Sequence, residues 1–389
     1  MRDVAIIGAG STKFGELWGA SFRAIGIEAG ARAMQDANLG GDEIDAIYIG
    51  NMSSGRFINQ QHIDALIADY TGMATNHVPA TRVEAGGASG GVAFRQGVMA
   101  VASGLHDTVI VGGAEKMTDM DDDSINSVLN ATADAEWEAG MGLTLPSLYA
   151  MIARRMIADG TVTREGIAAC AVNSHFHGAL NPDAQFRSAV SLDTVLRAGP
   201  VAEPLSMFDC APISDGSSAV ILCPLEEAKK HTDNYVKVSC SMQASDTLAL
   251  FQRQSITRFD ATRVAAQQAY QAAHITAADI DVAEVHDDFT VAGVMALQDL
   301  GFWKEGEAGQ AFLDGQTKFD AGKTAVNTSG GLKAKGYPIG AAGLSQIVEL
   351  TQQLTGRAAG RQVKDAKYGL AQSVGGTGSA VTVTILEAI

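Results

Sequence analysis

At 389 residues the chain is long enough for two domains or a duplicated one with an ample core. A composition of 46% hydrophobic and 19% charged residues is that of a globular protein, and 43 glycines against 8 prolines point to tight turns and close helix packing, not disorder. A net charge of −16 argues against nucleic acid and anionic membrane surfaces as partners; an anionic small molecule would need a local basic patch. The four cysteines, Cys170, Cys210, Cys223 and Cys240, have neither metal-site nor redox-motif spacing, so no metal is expected. Their small number fits free thiols in a reducing compartment, read as the cytoplasm. A strand is expected almost from the first residue and no signal peptide is visible, so none is expected; no apolar run approaches the roughly 18 to 20 residues of a membrane span.

Val4 to Gly8 reads as a short apolar strand. Gly8-Ala9-Gly10 reads as a turn; Lys13 stands where a dinucleotide fingerprint would need its third glycine. Helical spacing runs from Phe22 to Ala37 and from Gln61 to Tyr70, with strands at Ile44–Gly50 and Thr108–Gly112. From about Thr118 to Glu203 the chain turns polar and irregular, then helical, as functional insertions between core strands often do. Ile213 to Leu222 returns to the core as a turn and strand.

A second half begins near Tyr235 and repeats the first. Ala33, Ala37, Leu39, Ile44, Asp45 and Ile49, moved forward by 236 positions, land on Ala269, Ala273, Ile275, Ile280, Asp281 and Val285. A helix, a turn and a strand recur in register, which predicts two similar halves, each a helix-covered sheet of an α/β fold.

The densest local signal is Arg82-Val-Glu-Ala-Gly-Gly-Ala-Ser-Gly-Gly91. Val83 reads as the end of a buried strand, Gly86-Gly87 as a sharp turn, and Ala88 to Ser103 as a helix rich in small residues. Several enzymes present a nucleophile on such an elbow, because the helix N-terminus stabilises an anion held there. Position 87 is glycine, so a tight turn without chemistry is the other reading. Val282-Ala-Glu-Val-His-Asp-Asp-Phe289 places His286 at the end of a buried strand, where α/β sheets gather their sites; a solvated turn is the alternative. Asn327-Thr-Ser-Gly-Gly-Leu-Lys-Ala-Lys-Gly-Tyr-Pro-Ile-Gly340 is a glycine-rich turn leading into a helix from about Ala341 to Leu354. Lys333 and Lys335 bring positive charge there, and Tyr337 is either a packing residue or a site residue. Ser373-Val-Gly-Gly-Thr-Gly378 is a glycine-rich loop between two strands.

Thr81 to Gly91, followed by Val111-Gly-Gly-Ala-Glu-Lys-Met-Thr118, closely resembles the thiolase superfamily, nearest its archaeal and sterol-carrier-protein branch. The resemblance covers nearly the whole chain, from Met1 to Gly378. It implies the duplicated, five-layered αβαβα thiolase fold. Residues 1–117 and 204–232 would form one half, 233–389 the other, and 118–203 a loop domain over CoA and the acyl pocket. It implies an acyl-CoA substrate, no cofactor beyond that CoA, a homodimer, and a possible small partner with a zinc ribbon and an OB-fold. The family's acyl-carrying cysteine matches Gly87. The histidine that binds the thioester oxygen matches His286, the acid/base cysteine matches Asp288, and the histidine of Gly-His-Pro that activates the nucleophile matches Tyr337. His286, Tyr337 and Asp288 are therefore the expected catalytic set, with Gly87, Asn327, Lys333, Lys335 and Gly376 binding substrate or CoA.

Without a thiolate at position 87, the expectation is retro-aldol cleavage of a β-hydroxyacyl-CoA with no covalent acyl-enzyme. Tyr337 would act as acid/base, His286 as donor to the enolate oxygen, and Asp288 as proton relay. The chain is similar in this to thiolase-like aldolases of steroid side-chain degradation, which lack the cysteine and carry a tyrosine at the position similar to Tyr337. One alternative is an acetyl-CoA acetyltransferase with an altered site or an unrecognised nucleophile. The other is a non-catalytic scaffold subunit.

Overall fold

Two five-stranded sheets, one from each half of the chain, join edge to edge into one hydrogen-bonded ten-stranded sheet in the computed structural model, which describes residues 1–389. The first half contributes β1 (Val4–Ser11), α1 (Phe22–Ala37), β2 (Ala46–Gly50), α2 (Ser54–Phe57), α3 (Ile63–Tyr70), β3 (Ala80–Val83), α4 (Ser89–Ser103) and β4 (Val109–Glu115). An excursion follows, with α5 (Asp122–Asn130), α6 (Leu145–Ala158), α7 (Arg164–Gly178), α8 (Leu192–Leu196) and a hairpin of β5 (Pro200–Ala202) and β6 (Leu205–Ser206). The chain then re-enters the sheet as β7 (Gly216–Pro224). The second half contributes α9 (Leu225–His231), β8 (Val236–Ser245), α10 (Asp260–Ala273), β9 (Val282–Glu284), α11 (Thr290–Asp299), α12 (Ala308–Leu313) and β10 (Ala325–Val326). It closes with α13 (Gly331–Lys335), α14 (Ala342–Leu354), β11 (Tyr368–Gly375) and β12 (Ala380–Ala388).

The strand order is β10-β9-β11-β12-β8-β1-β7-β4-β2-β3. The seam is the short antiparallel pairing of Val4–Ile6 with Val236–Val238. Read outward from it, β1-β7-β4-β2-β3 and β8-β12-β11-β9-β10 have the same order. Positions 236 apart do the same work in the two halves. Asn38 and His274, at φ 55° and 56°, close α1 and α10 in the left-handed conformation. Asp45 Oδ2 accepts from the amides of Asp107 and Thr108 ahead of β4; Asp281 Oδ2 accepts from those of Lys367 and Tyr368 at β11.

α4 and α14 lie between the two sheets, packed on each other and on strands of both. Ala93, Phe94, Leu344 and Val348 share one apolar cluster with Val220 of β7 and Leu386 of β12. α14 is buried almost all round, as a central helix must be. α1 and α3 cover the outer face of the first sheet, α10 and α11 that of the second. This is the αβαβα layering of the expected fold.

Two local readings are corrected. Gly8-Ala9-Gly10 is not a turn: β1 runs through it to Ser11. A Cβ at Gly8 or Gly10 would collide with the α1 backbone at Ala33 or Ala29, so these glycines admit a helix onto the strand. β3 is not buried but half-exposed, because it is the edge strand beyond β2. No helix is long and apolar enough to cross a membrane.

Candidate active site

Residues from four chain ends converge where the two sheets and the excursion meet. Gly87 lies in the turn between β3 and α4, Asp288 just past β9, Tyr337 just past α13, and Gly376 in the turn from β11 to β12. All four line one cavity of about 190 Å³, walled otherwise mostly by apolar side chains such as Met52, Met117 and Phe289.

Gly87 stands two residues ahead of α4, at the positive end of that helix's dipole. It must be glycine. A Cβ there would collide with the Tyr337 hydroxyl on one side and the Val374 carbonyl oxygen on the other, and would stand 3.0 Å from His286 Cε1. The place of a nucleophilic side chain at the elbow is thus filled from α13 by a phenol oxygen.

The Tyr337 hydroxyl is 3.1 Å from His286 Nε2, the two rings meeting edge to face. The Tyr337 amide donates to Ser214 Oγ, and Gly340 donates to the buried Glu115, so both sides of the tyrosine's turn are pinned. Burial, with the Asp288 and Glu115 carboxyls nearby, pushes the phenol well above its ordinary range.

His286 is 1% exposed and lies behind Tyr337. Its amide donates to Gln372 Oε1, while its Nδ1 has no hydrogen-bond partner. Burial depresses its pKa to about 3, so the resting imidazole is neutral. Asp288 Oδ2 lies 3.8 Å from His286 Nε2, and Oδ1 accepts from the Phe289 amide. Burial holds this carboxyl well above the usual carboxylate range. Three proton-carrying groups thus meet around one point.

The other expected residues lie elsewhere. Asn327 does not line the cavity; at φ 57° its side chain accepts from the Val285 amide and ties β10's exit to β9's. Lys333 and Lys335 are 3% and 4% exposed and do not line the cavity either, so they are not a basic patch open to CoA. Lys333 Nζ lies 5.3 Å and 5.6 Å from the ring centres of Phe186 and Phe208. Lys335 is held in a buried charge network with Glu349, Glu284 and Arg361. Asp287, beside Asp288, caps α13 by accepting from the Leu332 amide and also takes the Ser174 hydroxyl.

Motif reading missed Cys210, Ile213 and Tyr149. Cys210 and Ile213 line the cavity from the strand of chain re-entering after the excursion. Burial pushes the Cys210 thiol up to about 12, which leaves no resting thiolate. Tyr149 of α6 stacks on Phe289 at 4.3 Å and donates to the Gly376 carbonyl at 2.9 Å, fixing the β11–β12 turn. No motif marks these residues; only a fold that gathers distant segments finds them.

A duplicated αβαβα fold with its site at the strand ends, facing an elbow at the N-terminus of a central helix, defines a protein of thiolase architecture. The chain belongs to the thiolase family: residues 4–226 match its thiolase N-terminal domain and residues 242–388 its thiolase C-terminal domain-like family. Among curated relatives, acetyl-CoA acetyltransferase of Methanothermobacter thermautotrophicus is 51% identical over 387 residues, covering 100% of both chains. Acetyl-CoA acetyltransferase of Methanocaldococcus jannaschii is 47% identical, covering 100% of this chain and 99% of its own. The solved Ltp2-ChsH2(DUF35) aldolase superposes with a TM-score of 0.84 at 26% identity, covering 99% of this chain and 98% of its own. The retro-aldol expectation is corrected by the first two: full-length relatives at about half identity carry the acetyltransferase name, and the aldolase likeness is much more distant.

Proposed function

We propose that this chain is an acetyl-CoA acetyltransferase of the thiolase type, moving an acetyl group between a CoA thioester and the α-carbon of a second thioester. The observation that carries this reading is the 51% and 47% identity, over the full chain, to two proteins of that name. The cavity is consistent with it. Gly87, Gly376 and the apolar wall enclose a small acyl group, Asp288 supplies a proton acceptor and donor, and Tyr337 backed by His286 supplies a hydroxyl at the carbonyl. A small partner subunit is part of the proposal, because the aldolase relative's name joins two components.

The test is acetoacetyl-CoA cleavage with free CoA, followed as acetyl-CoA formed. Acetyl-CoA production that depends on CoA is the expected result. No acetyl-CoA from the protein alone, or from its complex with a coexpressed OB-fold subunit, overturns the reading.

A further inference from the structure

We propose that Tyr337 is the acyl carrier of this enzyme, its phenol oxygen taking the acetyl group from CoA as a tyrosyl ester and passing it to the acceptor carbon. This rests on the acetyltransferase reading and names the residue that would hold the acetyl group between the two half-reactions.

Three placements support it. The Tyr337 oxygen fills the volume a side chain on residue 87 would occupy, at the N-terminal end of α4. It faces the cavity, with a nitrogen base 3.1 Å away. A third group, Asp288 Oδ2, stands 3.8 Å from that same nitrogen. A nucleophile, a base and a positive helix end at one point are the parts of a covalent acyl-transfer site.

The chemistry of the ester also suits the task. A free phenol titrates near pKa 10 and a thiol near 8.5, so aryl esters as a class are activated acyl donors; burial raises the Tyr337 phenol further, so its departure requires the proton that His286 returns. Acetyl can pass from CoA to tyrosine and off again, whereas an aliphatic ester would be a far poorer donor.

The protons close in a cycle. In the first half, Tyr337 Oη bonds to the thioester carbon and its proton goes to His286 Nε2. The carbon–sulfur bond breaks, and the CoA thiolate leaves with the proton of Asp288. This creates an imidazolium and a carboxylate that face each other and stabilise each other as an ion pair. Burial disfavours the bare Asp288 carboxylate and so makes it a strong base. In the second half, Asp288 takes the α-proton of the second acetyl-CoA, and the carbanion attacks the tyrosyl ester carbon. The Oη–carbon bond breaks and His286 returns the proton to the phenolate. The products are acetoacetyl-CoA and CoA, and all three side chains end as they began.

The test incubates the protein with isotopically labelled acetyl-CoA, quenches in acid and maps the label by peptide mass spectrometry. In parallel, exchange of labelled CoA into acetyl-CoA is measured without a second substrate. One acetyl group per chain on Tyr337, removed by neutral hydroxylamine, is the expected result. Tyr337→Phe, checked for wild-type melting behaviour, should carry no label and exchange CoA about 10²-fold more slowly or worse. Label on Cys210 or any other residue, no label at all, or undiminished exchange in Tyr337→Phe overturns the proposal. Acetylated Tyr337 in a protein that neither makes nor cleaves acetoacetyl-CoA would uphold the carrier and overturn the acetyltransferase reading. Turnover without label would do the reverse.

Discussion

The Tyr337 hydroxyl and Gly87 compete for one space: the phenol oxygen lies too close to where a Cβ on residue 87 would be for both to be present unmoved. The two residues, 250 positions apart, are one structural unit, and a change at either is a change in both.

A cysteine at the elbow therefore does not fit unless its neighbours move. Its Cβ would meet the Tyr337 oxygen and, on the other side, the Val374 carbonyl oxygen, so rotating the tyrosine away does not free the site. Gly87→Cys should cost about 1–3 kcal/mol, as overpacked sites do. It should not raise acetoacetyl-CoA thiolysis above the wild-type rate. Chemical denaturation and the steady-state rate measure the two effects, and a faster, equally stable variant would contradict the shared-space finding.

Tyr337→Phe separates the hydroxyl from the ring. The aromatic packing against His286 stays, and the lost hydrogen bond costs about 1 kcal/mol. Turnover should fall by about 10² or more while the melting temperature moves by only a few degrees. A variant with wild-type turnover would leave Tyr337 a packing residue.

Asp288→Asn keeps the acceptor for the Phe289 amide but cannot exchange a proton. We expect kcat to fall by about 10²–10⁴, with KM for the CoA thioester little altered, because the change removes proton transfer and leaves the cavity's shape. A rise in KM at constant kcat would assign Asp288 to binding alone.

Asp299 offers a test of stability against pH, away from the cavity. Its Oδ2 accepts from the Phe259 amide at 2.7 Å, and burial raises its pKa from 3.8 to about 7. Between those values the folded chain holds a proton that the unfolded chain has released, so stability falls as pH rises through that window. Asp299→Asn retains an acceptor for the amide and carries no titrating proton. Its melting temperature relative to wild type should climb from pH 4 to pH 8, by an amount on the order of 1–4 kcal/mol in stability. A difference that does not change with pH would show that Asp299 titrates as an ordinary carboxylate.

The sequence by itself determined the duplication, the helix-then-strand register 236 residues apart, and the elbow at Gly87, because spacing of apolar and small residues records which face of each element is buried. It also brought out His286, Asp288 and Tyr337, which stand in dense local motifs, the first two just past a strand end and the third just past α13. Only the tertiary structure decided what those residues meet. Gly8 and Gly10 lie in a strand paired with β7 and are glycine because α1 crosses them, and Lys333 and Lys335 read as local positive charge for CoA until Phe186, Phe208 and Glu349 enclose them. Cys210 and Tyr149 join the site through the excursion's path. That Tyr337 takes the space beside Gly87 depends on two distant chain segments approaching too closely to leave room for a Cβ, and no local pattern encodes that distance.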